Sequence, residues 1–185
     1  MSAPGEKAAL RQMQLQGLRE LSAEDRVQES REILWHLQAW EGFRQARCVL
    51  LYAPLKNEPD LLELLALGKK FCFPRVQGSE LGLYEVQQAA HLQKGASWIR
   101  EPDRAQCPAV EAGEIDLAVI PGLAFDPESH IRLGRGGGYY DRLLARKDFT
   151  ARTMGVCFTS QLRPGLPKEN HDVPMHAVVS SKGFV

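Results

Sequence analysis

Apolar residues near the start of the chain recur at close to helical spacing. Leu10, Met13, Leu18 and Leu21 predict an amphipathic first helix. Ser22 then stands where an N-cap belongs, with Asp25 three residues on in a capping-box-like place. Val27, Ile33, Leu34 and Leu37 carry the apolar face of a second helix. From Arg47 the period changes. Cys48 to Ala53 is a short apolar run suited to a buried strand. Asp60 to Leu67 predicts a helix, with Asp60 as N-cap and Gly68 just past its end. A second strand is expected over Lys70 to Arg75, stopped by Pro74, and an alternating edge strand over Leu81 to Val86. The stretch 77–106 is the least regular and suggests an insertion or lid. Ile115 to Ile120 is a buried strand closed by Pro121 and Gly122. Tyr139 to Lys147 predicts a helix, Thr153 to Phe158 a strand, and Ala177 to Ser180 a short last one. Strands alternating with helices imply crossover units, so the fold class is α/β with a mainly parallel sheet covered on both faces.

Composition narrows the partners. The 185 residues suit one domain with a sizeable core. Lys and Arg together number 23, as do Asp and Glu, and the formal net charge is zero. That balance argues against a protein held on nucleic acid by overall positive charge. The longest apolar run, Cys48 to Leu55, falls far short of a membrane span. Met1 to Leu10 lacks the apolar core of a signal peptide. Cys48, Cys72, Cys107 and Cys157 form no Cys-x-x-Cys pair or metal-site cluster. They read as structural thiols of a reducing, cytoplasmic compartment.

The chemistry concentrates between a buried strand and a helix. Pro121-Gly122-Leu123-Ala124-Phe125-Asp126 leads, after a short turn, into Arg132-Leu133-Gly134-Arg135-Gly136-Gly137-Gly138-Tyr139-Tyr140-Asp141. Glycines let backbone N–H groups gather round an anion, and arginine forks suit phosphate oxygens. The pattern reads as a phosphate cradle at the carboxyl end of a strand, backed by a helix N-terminus. It is neither a Walker loop nor a dinucleotide fingerprint, because Tyr139 stands where each would need another residue. A plain flexible loop with solubilising arginines is the competing reading. Asp141, in the first turn of the next helix, either answers the helix dipole or holds Mg²⁺ beside phosphates. Asp172 is a candidate second carboxylate and otherwise a loop aspartate; neighbouring His171 is a candidate base or simply polar surface. Lys7 and Arg11, four apart on one helix face, make either a solvated stripe or a polyphosphate clamp. Glu58 follows the first strand, where it could orient a polar ligand or only open a helix. Trp98 and Tyr84 are candidates for stacking, against a bland role in packing.

Along its whole length the chain resembles the 5-formyltetrahydrofolate cyclo-ligase family, also called 5,10-methenyltetrahydrofolate synthetases. The composite 121–141 motif carries the resemblance. Weaker matches run in order through Lys7 and Arg11, Glu58, Pro74-Arg75, Trp98-Ile99-Arg100-Glu101-Pro102, Gly155 to Phe158 with Gln161, and Leu166-Pro167 leading to His171-Asp172. The resemblance implies a three-layer α/β/α sandwich formed as a single domain over residues 1–185, with helices of residues 1–45 packed on its core. It implies a monomeric, cytoplasmic enzyme that uses ATP and Mg²⁺ to convert 5-formyltetrahydrofolate to 5,10-methenyltetrahydrofolate, releasing ADP and phosphate. By position it implies ATP contacts at Lys7, Arg11 and the loop Arg132, Leu133, Gly134, Arg135, Gly136, Gly137, Gly138, Tyr139 and Tyr140. Folate contacts fall at Ala53, Glu58, Trp98 and Arg135 to Tyr139, catalytic roles at Arg135 and Tyr139, and Mg²⁺ ligands at Asp141 and Asp172. Two departures stand out: Pro59-Asp60-Leu61 replaces the family's usual helix start after Glu58, and Arg100 occupies a variable place. A folate- or nucleotide-binding protein without turnover, and a kinase for another small molecule, are the competing functions. The paired carboxylates disfavour the first and Glu58 the second.

Overall fold

The computed structural model describes residues 5–95, 99–169 and 172–185. Helices α1 (Glu6–Glu20), α2 (Ala23–Ala39) and α3 (Glu41–Gln45) come first. Among the described residues twelve strands follow, interrupted by one further α-helix. They are β1 (Cys48–Leu50), β2 (Lys70–Gln77), β3 (Glu80–Glu85), β4 (Leu92–Lys94), β5 (Arg100–Pro102), β6 (Ala109–Val110), β7 (Leu117–Pro121), β8 (Ala124–Phe125), β9 (Arg132–Leu133), β10 (Arg152–Val156), β11 (Ala177–Ser180) and β12 (Gly183–Phe184), with α4 (Tyr139–Leu144) after β9. Eight strands form one sheet in the order β12-β11-β10-β7-β1-β2-β3-β6. Its centre, from β11 to β2, is parallel, and antiparallel strands flank it on both sides.

Alternation along the buried strands explains the layers. Val49, Leu51, Phe71, Phe73, Leu117 and Val119 pack with Ile33, Leu37 and Phe43 of α2 and α3. Their neighbours Cys48, Leu50, Cys72, Ala118 and Ile120 face the other way, onto Leu143 of α4 and Phe149. A strand apolar at every position buries both faces, so both faces here carry helices. A third apolar cluster sits beyond the strand ends, where Leu18 of α1 meets Leu123, Ile131, Leu133 and Phe158. Among the described residues no helix is long and apolar enough to cross a membrane. All four cysteines are buried free thiols.

Several elements differ from expectation for identifiable reasons. The Ser22 hydroxyl accepts from the Asp25 N–H as its position predicts. The segment expected as an α-helix from Asp60 is a short 3₁₀ turn, Leu62–Leu67. Asp60 still accepts from the Leu62 N–H, and Gly68 closes the turn at φ 68°. So short a run tightens readily to i→i+3 bonding. Pro74 does not stop β2. The Val86 N–H bonds to Phe71 O, which sets Phe71, Phe73 and Arg75 as the hydrogen-bonded positions against β3. Pro74 therefore turns its nitrogen away from β3, towards a flank where β1 has already ended opposite Cys72, and no ladder bond is lost. β3 is not the sheet's edge, because β6 pairs on its outer side. Within the irregular stretch β4 and β5 pair as an antiparallel ribbon.

Candidate active site

A cleft of about 310 Å³ opens at the carboxyl ends of β1 and β7. Open α/β sheets bind ligands at such strand ends, and small-molecule sites begin near this size. Tyr52, Ala53, Leu55 and Glu58 supply one wall, Pro74 and Val76 of β2 another. The loop from Gly134 to Asp141 closes the end. Gly136 (φ 98°) and Gly138 (φ 69°) take left-handed backbone, which only glycine adopts at little cost. That conformation bends the loop sharply, as a nest of backbone N–H groups requires. The helix behind it, α4, has only 6 residues and no side-chain cap. Its dipole is therefore weaker than a long helix would supply, and the formal positive charge at the loop comes from arginines.

Both arginines are already engaged. Arg132 is buried; its guanidinium binds the Asp141 carboxylate and the Pro121 carbonyl and lies 5.5 Å from the Tyr140 ring centre. Arg135 reaches across the cleft. Its Nε and Nη2 donate to Glu58 Oε1 at 3.0 and 2.8 Å, and Nη2 also donates to Asn57. Glu58 is buried, and its other oxygen accepts from the Leu55 N–H at 3.0 Å. The wall after β1 is thus tied to the glycine loop by a charge-assisted clamp. Burial, with Glu58 nearby, pushes the Tyr52 and Tyr140 hydroxyls above the usual phenol range. Both stay neutral near pH 7, and Tyr52 donates to Pro59 O at 2.7 Å.

Helix α1 folds over the same loop. Arg11 Nε donates to Gly134 O at 3.0 Å, and Gln14 donates to Leu123 O. Lys7 is buried and contacts Asp172 at 2.7 Å and Glu169 at 3.0 Å. Burial works against its ammonium, but hydrogen bonds to those two carboxylates outweigh it and hold the pKa above the ordinary lysine value.

The sequence-assigned residues divide accordingly. Ala53, Glu58, Arg132 and the run Gly134 to Asp141 meet around the cleft. Arg11 touches the loop from behind. Lys7 and Asp172, read separately from sequence as an ATP contact and a metal ligand, pair with each other. Leu133 packs into the apolar cluster under α1 rather than lining the cleft. Tyr84 is buried within β3 and bonds Gln77. Trp98 and His171 lie outside the described residues. Asn57, Glu101 and Asp126 gained no role from the sequence. Glu101 is buried, lines the cleft and accepts from the Val76 N–H; its place in the matched Glu-Pro pair was the available signal. Asp126 fastens two loops below the arginines.

The donor set suits a metal ion carried by phosphates. Among the described residues no group of three or more His, Cys, Asp or Glu could hold a metal unaided. Mg²⁺ commonly needs only one or two carboxylates beside phosphate oxygens, and Asp141 lines the cleft with its side chain one-third exposed.

Comparison with known proteins agrees with this geometry. The sequence model of the 5-formyltetrahydrofolate cyclo-ligase family matches residues 3–181. A 5-formyltetrahydrofolate cyclo-ligase of Mycolicibacterium smegmatis is 32% identical over 195 residues, covering 99% of this chain and 98% of its own. One from Mus musculus is 29% identical, covering 94% and 92%. The solved structure of Aquifex aeolicus 5,10-methenyltetrahydrofolate synthetase superposes with a TM-score of 0.84 at 35% identity, covering 96% of this chain and 91% of that one. A match that runs from α1 through the clamp and the glycine loop to β11 makes the chain a member of the 5-formyltetrahydrofolate cyclo-ligase family.

Proposed function

We propose that the protein converts 5-formyltetrahydrofolate to 5,10-methenyltetrahydrofolate at the expense of ATP, releasing ADP and phosphate. The observation that carries this reading is the Arg135–Glu58 clamp. It joins a wall able to orient a polar heterocycle to a loop able to hold phosphates, so two substrates meet at one place. In the proposed reaction the formyl oxygen attacks the γ-phosphorus of ATP and the bond to ADP breaks. N10 then closes the five-membered ring on the activated carbon and gives up its proton, which the phosphate takes up as it leaves with the former formyl oxygen.

This chain's residues position and neutralise, which is most of what phosphoryl transfer requires. The N–H groups of Gly136 to Gly138 cradle phosphate oxygens. Arg132 and Arg135 exchange part of their bonding from Asp141 and Glu58 to the incoming anion. Released in part from Arg135, Glu58 accepts from ring N–H groups of the folate. Tyr139 and Tyr140 border the reacting groups, and neutral Tyr140 offers a proton donor without adding negative charge. Lys7 and Arg11 hold α1 over the loop. Mg²⁺ would be held by Asp141 with the phosphates of ATP and would neutralise charge there. Asp172 adds to that set only by loosening its pair with Lys7.

Purified protein given ATP, Mg²⁺ and 5-formyltetrahydrofolate tests the reading. Growth of the near-ultraviolet band of the methenyl product is expected, matched by equimolar ADP. A folded protein that binds both compounds without ATP-dependent growth of the band would instead be a binder.

A further inference from the structure

Strand β2 runs past the end of its neighbour. β1 stops at Leu50, opposite Cys72, while β2 continues to Gln77. Beyond that point β1 no longer covers the flank of β2. The alternation that turns Phe71, Phe73 and Arg75 to β3 turns Pro74 and Val76 to this flank. Pro74 has no N–H to satisfy there. Val76 has one, and a side chain from another element takes it: Glu101 Oε1 accepts at 3.1 Å. Glu101 belongs to β5 and is buried. One carboxylate thus stands in for the missing strand and docks the β4–β5 ribbon onto β2.

The docking completes the cleft. Ile99 and Glu101 reach it from the ribbon side, Pro74 and Val76 from β2, and Leu81 from β3. Pro74, Val76, Leu81 and Ile99 give this wall an apolar surface, which suits a flat heterocycle rather than phosphates. The far end of the ribbon is fastened separately. Leu92 is part of the main core, Asp103 N–H bonds His91 O at 2.9 Å, and Arg75 Nη1 bonds Pro102 O at 2.8 Å. Glu101 is the fastening beside the ligand. Arg75 Nη1 lies 3.7 Å from its Oε2 and answers its charge in part, but the Val76 N–H needs only an oxygen acceptor. Gly95, whose N–H bonds Ile99 O at 2.8 Å, leaves the carboxylate its room. A Cβ at Gly95 would stand 2.3 Å from Glu101 Oε2 and 2.7 Å from its Cγ.

We propose that Glu101 is a positioning residue for the folate. By capping the Val76 N–H it holds Ile99 and the ribbon in place as the apolar wall of the cleft, and it does so through its acceptor oxygen rather than its charge. The proposal rests on the function proposed above. The glycine loop and the Arg135–Glu58 clamp are held by other bonds, so ATP binding and the chemical step are independent of this wall.

Steady-state kinetics on the full chain, with 5-formyltetrahydrofolate and ATP varied in turn, tests this. Glu101→Met keeps the length of the side chain and removes the acceptor. Its KM for the folate is expected to rise about tenfold, the scale of one buried hydrogen bond left unmade. Its kcat and its KM for ATP are expected to stay within about twofold of wild type. Gly95→Ala, which displaces the carboxylate without removing it, should move the folate KM the same way, and it decides by the same constants if Glu101→Met does not fold. Glu101→Gln retains an oxygen acceptor and should stay within about twofold of wild type throughout. Amide hydrogen exchange reads the cap without turnover. The Val76 N–H should exchange at least about tenfold faster in Glu101→Met than in wild type or Glu101→Gln. An unchanged folate KM in Glu101→Met, an equal rise in the KM for ATP, or a Gln variant as impaired as the Met variant would each overturn the proposal. If the wild-type protein binds the folate without turning it over, the function fails, and calorimetric folate affinities of the same variants decide the wall by the same criteria. A wild-type protein that does not bind the folate would overturn both.

Discussion

The Glu58–Arg135 pair ties the wall after β1 to the glycine loop through two side chains 77 positions apart. Glu58's side chain is 6% exposed and Arg135's 34%, so the acid depends on the base more than the reverse. Arg135→Ala should lower turnover at least about tenfold, as removal of a charge-stabilising donor commonly does. It should also cost about 2 kcal/mol of stability, because a buried carboxylate is left with fewer donors. Adding Glu58→Gln to that variant removes the uncompensated charge. Denaturant unfolding should then recover much of the loss while turnover stays low. A double variant as unstable as the single one would mean that the buried charge is not the source of the cost. Sequence pattern marked both residues as site residues, each from its position at a strand end or in the loop. That they grip each other was not readable, because nothing local encodes a contact between distant loops. The same limit hid the Lys7–Asp172 pair, whose members were assigned to different ligands.

Elements were readable where a local cause fixes them. Ser22 with Asp25 marked the start of α2, and short runs apolar at nearly every position marked β7 and β11. Boundaries failed where tertiary context decides. β2 runs through Pro74 because its neighbour has ended, and α4 stops at Leu144 although the pattern continues polar. The glycine loop is the element most open to test. Gly138 sits at φ 69°, and an added Cβ would come within 2.6 Å of the Arg142 guanidinium, which bonds the Ser79 and Gly137 carbonyls. Gly138→Ala therefore lacks the conformation and must also displace Arg142, and should cost about 1–2 kcal/mol. Because the strain falls on the cradle, the KM for ATP should rise more than the KM for the folate. Gly137 has no positive φ, and its added Cβ would meet the Tyr139 ring at 3.0 Å. Gly137→Ala should disturb the tyrosine more than the backbone. If both variants alter ATP binding alike, the left-handed geometry is not what shapes the cradle.

The whole molecule depends on loops beyond the strand ends being fastened to one another, and one buried carboxylate does much of this. Asp126 Oδ1 accepts from the Glu128 and Ser129 N–H groups at 2.9 and 3.0 Å. Its Oδ2 accepts from Gly165 and Leu166 at 2.7 and 3.1 Å. The β8–β9 turn, which leads into Arg132, is thereby bound to the segment after β10. Sequence placed Asp126 within the signature run without a role, because its partners are backbone groups far along the chain. Burial alone would raise its pKa, but the four N–H donors outweigh burial and hold it below the ordinary aspartate value. A carboxyl whose folded pKa is depressed stabilises the fold at pH above its unfolded value of about 3.9, and that contribution disappears as pH falls through the folded value. Asp126→Asn keeps the shape but replaces one acceptor oxygen with an amide nitrogen, so two backbone donors lose their partner. At pH 7 the variant should be less stable by about 2–3 kcal/mol. The difference should hold down to about pH 5 and narrow below about pH 4, as wild-type Asp126 itself takes up a proton. Groups common to both proteins cancel in that difference, so urea unfolding of the pair at stepped pH isolates this one carboxyl. A gap that stays constant to pH 3 would mean that Asp126 holds the loops by shape alone, without its charge.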